Sequence, residues 1–129
     1  MNNKDKDSFH KKLKKKMDEF VHLAYKLTKK FPKEELFGAT SQLRRAAMSV
    51  ILNYIEGFAR RKRLVVINFY ETSYGSLKES KYLLYFATVE KWITVVEYNQ
   101  VIALTEEIGA MLWSTIERLE KTKHDRYSI

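Results

Sequence analysis

Apolar residues recur along this chain at steps of three and four, in four separate runs. In the first, Leu13, Met17, Phe20, Ala24, Leu27 and Phe31 step by 4, 3, 4, 3 and 4, which gathers them on one face of a helix. The pattern predicts a helix from about Ser8 to Phe31, ended by Pro32 because proline disfavours helical geometry in the residue before it. Pro32-Lys33-Glu34-Glu35 reads as a short helical turn with proline at its first position, broken by Gly38. Thr40 or Ser41 is then placed to cap a second helix over about 40–60, striped by Leu43, Ala47, Val50, Tyr54 and Phe58. Its small Ala46, Ala47 and Ser49 leave room for a neighbouring helix.

A third helix is predicted over about 64–90, with Val66, Phe69, Tyr70, Ser73, Leu77, Ser80, Leu84 and Ala87 facing inward. Gly75 lies inside it at a cost of about 1 kcal/mol relative to alanine, so a close helix contact or a partner crossing is expected there. Thr94-Val95-Val96-Glu97 has the form of a capping box, in which threonine and glutamate each satisfy the other's free amide. The fourth helix, over about 95–122, carries Val101, Leu104, Ile108, Leu112, Thr115 and Leu119, and Lys121, Lys123 and Arg126 suit the negative end of its dipole. Short connections make sequential helices antiparallel, so the fold class is all-α, an up-down-up-down four-helix bundle over residues 8–123. Residues 1–7 and 124–129 are expected to be flexible.

Composition narrows this further. A chain of 129 residues with 45% apolar residues has material for one core, and a single proline with four glycines imposes few turns. With no cysteine there is no disulfide framework, thiol nucleophile or thiolate metal site. No window holds the roughly 18 uninterrupted apolar residues that span a bilayer, and MNNKDKDSFHKKLKKK lacks the apolar stretch of a secretory signal. These features point to a soluble, cytoplasmic protein with no membrane partner.

Charge adds a partner class. Lysine and arginine number 24 against 16 acids, a net charge of +8. The cations cluster at Lys11, Lys12, Lys14, Lys15 and Lys16, at Lys29-Lys30, at Arg44-Arg45 and at Arg60-Arg61-Lys62-Arg63. Each phosphate neutralised releases counterions, so such clusters can supply a non-specific nucleic-acid affinity without reading sequence.

Helices two and three resemble a known family. Leu27 to Glu35 followed by Phe37-Gly38, then Thr40-Ser41-Gln42-Leu43-Arg44-Arg45-Ala46-Ala47 and Ser49, then Asn53, Glu56-Gly57 and Arg60, and finally Gly75-Ser76-Leu77 with Glu79, are similar to the motifs of the 23S rRNA intervening-sequence (S23 ribosomal protein-like) proteins. Relatives of that family include the accessory variability proteins of diversity-generating retroelements. The detailed likeness covers about residues 20–90, with Gln42, Asn53, Glu56, Gly57 and Gly75 among its motif positions. Two positions depart: Ile51-Leu52 stands where family members often have Pro-Ala, which implies a straighter second helix, and Lys81 stands where they have glutamate. The resemblance implies a bacterial bundle protomer assembling into a ring, typically a homopentamer, that binds nucleic acid and has no catalytic activity. In the retroelement branch it implies contact with a reverse transcriptase.

The candidate phosphate-binding residues are Arg44, Arg45, Arg60, Arg61, Lys62 and Arg63, with RNA favoured over DNA. Asn53, Glu56 and Arg60 share a face of helix two, where a helix-end network, Glu56 pairing Arg60 and Asn53 bonding a neighbouring helix, is favoured over a binding conjunction. Tyr70, Tyr74, Tyr82 and Tyr85 crowd helix three, with Trp92 beyond. Core packing or a subunit interface suits them better than base stacking, and Tyr82 and Tyr85 cannot both share the stripe of Leu84. His10, His22 and His124 are scattered, and His22 with Asp18 and Glu19 reads as a surface ion pair rather than a metal site. No metal site, cofactor or catalytic residue is expected: there is no phosphate-binding glycine loop, no Glu-x-x-His pair and no nucleophile with a base. Two functional readings follow, a nucleic-acid-binding oligomeric adaptor and, as the alternative, a protein–protein adaptor for a reverse transcriptase or another partner.

Overall fold

The computed structural model describes residues 2–127, with side chains through Lys121. Four helices, α1 (Asn3–Thr28), α2 (Ala39–Phe58), α3 (Arg63–Val89) and α4 (Val95–Tyr127), follow one another with a 3₁₀ turn at Lys33–Glu35. Each packs on its neighbours in sequence and α4 closes on α1, with no diagonal pair in backbone contact among the described residues. That is the up-down-up-down bundle, and the α2–α3 interface is its most extensive.

α1 buries the stripe that its periodicity marks: Leu13, Met17, Phe20 and Ala24 have no exposed surface and Leu27 almost none. It begins at Asn3, five residues before Ser8, because the Asn2 side chain accepts the Asp5 amide at 2.8 Å and so caps a turn that has no apolar residue to advertise it. Its α-helical part stops at Thr28. The amides of Lys30 and Phe31 donate to Leu27 and Thr28 three residues back, a tightening imposed by the approach to Pro32. α4 continues to Tyr127, five residues past the end at 122 that the spacing predicts. Lys123, His124 and Arg126 fall on it, but their side chains lie outside the described residues.

α2 starts at Ala39 without a cap from Thr40 or Ser41. Thr40 is buried inside the helix, and the Glu35 carboxylate of the preceding turn reaches back to accept the Ala39 amide at 3.2 Å. The helix runs unbroken through Ile51-Leu52 and buries Leu43, Ala46, Ala47, Val50 and Tyr54. Phe58 leaves the stripe and is 55% exposed, because the chain turns away to α3 within one residue of it.

α3 touches both α2 and α4, so its buried face is wider than one stripe. Tyr70, Ser73, Leu77, Ser80, Leu84 and Ala87 are buried as the spacing predicts, Ile67, Ser76 and Leu83 join them, and Val66 and Phe69 are only half-buried. The hydroxyl groups on this face are satisfied: Ser73 donates to the Val50 carbonyl at 2.6 Å and Ser80 to the Ser76 carbonyl at 2.8 Å. Ser49 of α2 bonds Ser76 at 2.8 Å, which ties the two helices through their smallest side chains.

The two motif glycines have opposite surroundings. A Cβ on Gly57 would lie 2.7 Å and 2.8 Å from Tyr70 ring atoms and 2.9 Å from the Phe69 Cβ, so α3 rests directly on the α2 backbone. A Cβ on Gly75 would meet nothing within 4 Å, which removes the close helix contact within the protomer as its explanation. α4 opens with the capping box: Glu97 donates its amide to Thr94 Oγ1 at 3.1 Å and accepts the Thr94 amide at 2.9 Å.

Gly57→Ala is therefore expected to destabilise the bundle by about 1–3 kcal/mol despite the better helix propensity of alanine. Gly75→Ala is expected to stabilise the isolated protomer by about 1 kcal/mol. Urea unfolding of the two variants checks both signs.

Candidate nucleic-acid interface

The bundle divides the basic residues by their neighbours. Three lysines are drawn into ion pairs across helices on the α4 side: Lys16 with Glu107 at 2.5 Å, Lys81 with Glu106 at 2.5 Å, and Lys30 with Glu97. The Lys30 ammonium and the Thr94 backbone amide hold the Glu97 carboxyl down at about 2, and Lys81 lowers Glu106 in the same way. Lys11, Lys12, Lys14 and Lys15, on the third and fourth turns of α1, are exposed and make no ion pair among the described residues. α1 and α2 are antiparallel, so these lysines lie toward the end of the bundle that holds the α2–α3 corner. The His10 ring is 4.8 Å from that of Phe58.

The six arginines and lysines singled out from the sequence do not form one patch. Arg45 and Arg61 are separated by sixteen residues, about 24 Å of chain at the helical rise. Arg44 is occupied by the bundle: its Nε donates to Thr28 Oγ1 at 2.8 Å and its guanidinium lies 4.7 Å from the centre of the Tyr25 ring. Arg60 pairs with Glu56 at 3.0 Å and stacks over Phe69 at 5.3 Å. Arg63 is half-buried, with an Nε that finds no partner. Arg45, Arg61 and Lys62 are exposed and without ion pairs among the described residues. Exposed cations thus include Arg61 and Lys62 at the corner and Lys11, Lys12, Lys14 and Lys15 on α1, with Arg45, Lys26, Lys29 and Lys33 toward the other end of the bundle.

The other motif positions are structural or exposed. Asn53 bonds the Ser49 carbonyl and hydroxyl of its own helix, at 2.9 Å and 2.8 Å, and reaches α3 only through the Ser49–Ser76 bond. Glu56 is held by Arg60 one turn on, and Gln42 is exposed. Tyr82 and Tyr85 are both exposed, with Phe86 and Val89 beside them. Lys81 is one partner of the α3–α4 ion pair. His22 pairs with Asp18 at 3.4 Å on the surface. Among the described residues no three His, Asp or Glu side chains gather as a metal set, and no helix is long and apolar enough to cross a membrane.

One arrangement at the basic end was not legible from spacing. His10 Nδ1 shares a hydrogen bond with the hydroxyl of Tyr54, 44 residues away, and the Tyr54 ring stacks on Tyr70 at 5.0 Å. Burial pushes both phenols up, Tyr70 to about 12. Burial, aided by the nearby Arg118 and Lys6 charges and opposed by Asp7, lowers His10 below its ordinary value. The signal that could have found this pair is the antiparallel pairing of α1 with α2, which brings the start of one beside the end of the other.

A basic up-and-down four-helix bundle with exposed cations is the class of protein that fold and surface define. The family model described as 23S rRNA-intervening sequence protein matches residues 10–114, and the chain belongs to that family. It is similar to a crystal structure from Bacteroides thetaiotaomicron described as a protein with unknown function from the S23 ribosomal protein family. The TM-score is 0.75 at 25% identity, over 81% of this chain and 97% of that one. No curated protein matches the chain.

His10 gives a pH prediction. Its folded pKa lies below the unfolded value of 6.5, so between the two the unfolded chain binds more protons and stability falls as the pH drops. The melting temperature is expected to decline from pH 7 to pH 5 and the decline to flatten in His10→Gln; equal slopes in wild type and variant would remove His10 as the cause.

Proposed function

We propose that this chain is a non-enzymatic RNA-binding adaptor, working as a homo-oligomeric ring, a pentamer, in the cytoplasm and without a cofactor. The observation that carries the reading is the set of exposed cations that make no ion pair among the described residues, Lys11, Lys12, Lys14, Lys15, Arg61 and Lys62 on the α1–α2 side and Lys26, Lys29, Lys33 and Arg45 toward the other end. Exposed cations free of acidic partners suit a phosphate backbone, where each contact releases a counterion. Membership of a family described by its 23S rRNA intervening sequence supports RNA over DNA. Exposed Tyr82, Tyr85, Phe86 and Val89 on α3, and Phe37 at 93% exposure, provide apolar surface of the kind that subunit contacts cover. Gly75 sits one to two turns before Tyr82 on α3, with open space over its backbone where another chain can cross.

The same aromatic surface favours a second reading, a protein–protein adaptor whose partner is a reverse transcriptase or another protein that brings its own RNA. In that case a purified complex survives nuclease treatment.

Binding of a labelled structured RNA across a salt series tests the first reading. The wild type is expected to bind with a steep negative log–log slope. Arg61→Glu with Lys62→Glu reduces the magnitude of that slope by about 2 and weakens binding about tenfold or more at low salt, whereas Arg44→Gln leaves the slope nearly unchanged. An affinity insensitive to salt would remove the electrostatic role, and native mass spectrometry gives the subunit number.

A further inference from the structure

Between α1 and α2 runs a trough whose floor is half-buried Ile51 with exposed Ile55 and Phe58 of α2, and whose rim is Lys11, Lys14 and Lys15 with Asp18 at its inner end. At its outer end the trough deepens into a cleft of about 330 Å³ walled by His10, Tyr54 and Phe58, with Asp7 at the mouth. The His10–Tyr54 hydrogen bond and the Tyr54–Tyr70 stack fix one wall, while Phe58 offers a ring that is more than half exposed. A flat apolar ring beside unpaired ammonium groups is the combination that holds single-stranded nucleic acid, base on ring and phosphate on lysine.

Building on the RNA-binding reading, we propose that this trough is a site for single-stranded RNA, with one unpaired base against Phe58 and His10 and its flanking phosphates on Lys11 and Lys14. Asp7 at the mouth is an acceptor for an exocyclic amino group, which favours adenine, cytosine or guanine over uracil in the cleft. The apolar floor from Ile51 to Phe58 spans about 10 Å. That is room for about three bases at the 3.4 Å stacking distance, and too short for the several-turn groove in which a partner helix docks. Duplex RNA, with its bases stacked and paired, cannot offer a face to the ring.

The test uses the full-length protein and a single-stranded RNA carrying one 2-aminopurine, with its duplex and an abasic version as controls. Wild type is expected to quench the probe in the single strand and not in the duplex, and to bind the abasic strand more weakly. Phe58→Ala, a change at an exposed position, loses the quenching and binds the single strand between about fivefold and a hundredfold more weakly, while Phe58→Trp restores both. Lys11→Gln with Lys14→Gln lowers the magnitude of the salt slope by about 1–2. If RNA binds with a steep salt slope but Phe58→Ala matches wild type in quenching and affinity, the trough is overturned and the RNA-binding reading stands. If no RNA binds at low salt, both fall. A loss of oligomer mass in Phe58→Ala would assign the trough to a second copy of this chain and overturn the proposal.

Discussion

The distance between α2 and α3 is set at Gly57, where the ring of Tyr70 and the Cβ of Phe69 lie against bare backbone. That approach lets Tyr70 stack on Tyr54, which in turn positions Tyr54 to meet His10 on α1. Three of the four helices are therefore indexed to one another through a single aromatic column. The serines further along the α2–α3 interface keep the same spacing, because Ser49, Ser73 and Ser76 have no bulk to push the helices apart and their hydroxyls are hydrogen-bonded. Larger side chains there would have to splay the interface, and with it the corner that carries Arg61 and Lys62.

The acids determine where the charge goes. Glu97, Glu106 and Glu107 all sit on α4, and they reach Lys30 in the turn after α1, Lys81 of α3 and Lys16 of α1 respectively. They neutralise cations where the bundle closes on itself and leave Lys11, Lys12, Lys14 and Lys15 of α1 without an acidic partner among the described residues. Exposed ion pairs add little to stability, so their larger effect here is on the field the protein presents.

Much of the bundle was legible from spacing. The α1 stripe, the capping box at Thr94 and the antiparallel order are local or periodic features, and a helix face records them directly. What escaped depends on residues far apart in the chain. Arg44 looks as available as Arg45 until Thr28 and Tyr25 of α1 are set beside it. The cap of α2 comes from Glu35, outside the helix it caps, and Gly75 reads as a packing glycine though its face is open. Phe58 belongs to the stripe by number and leaves it because the chain turns away after it. The trough needs the register of α1 against α2, which no single-helix pattern contains.

Glu97 performs two unrelated tasks with one carboxylate. It closes the capping box at the start of α4 and holds Lys30 in the turn that follows α1. Glutamine could still accept the Thr94 amide but would abandon the lysine, and aspartate, one methylene shorter, would give up reach. Positions 30, 94 and 97 therefore cannot drift separately, and a change tolerated at any one of them depends on what occupies the other two. Among relatives with the same fold, these three sites should vary as a unit.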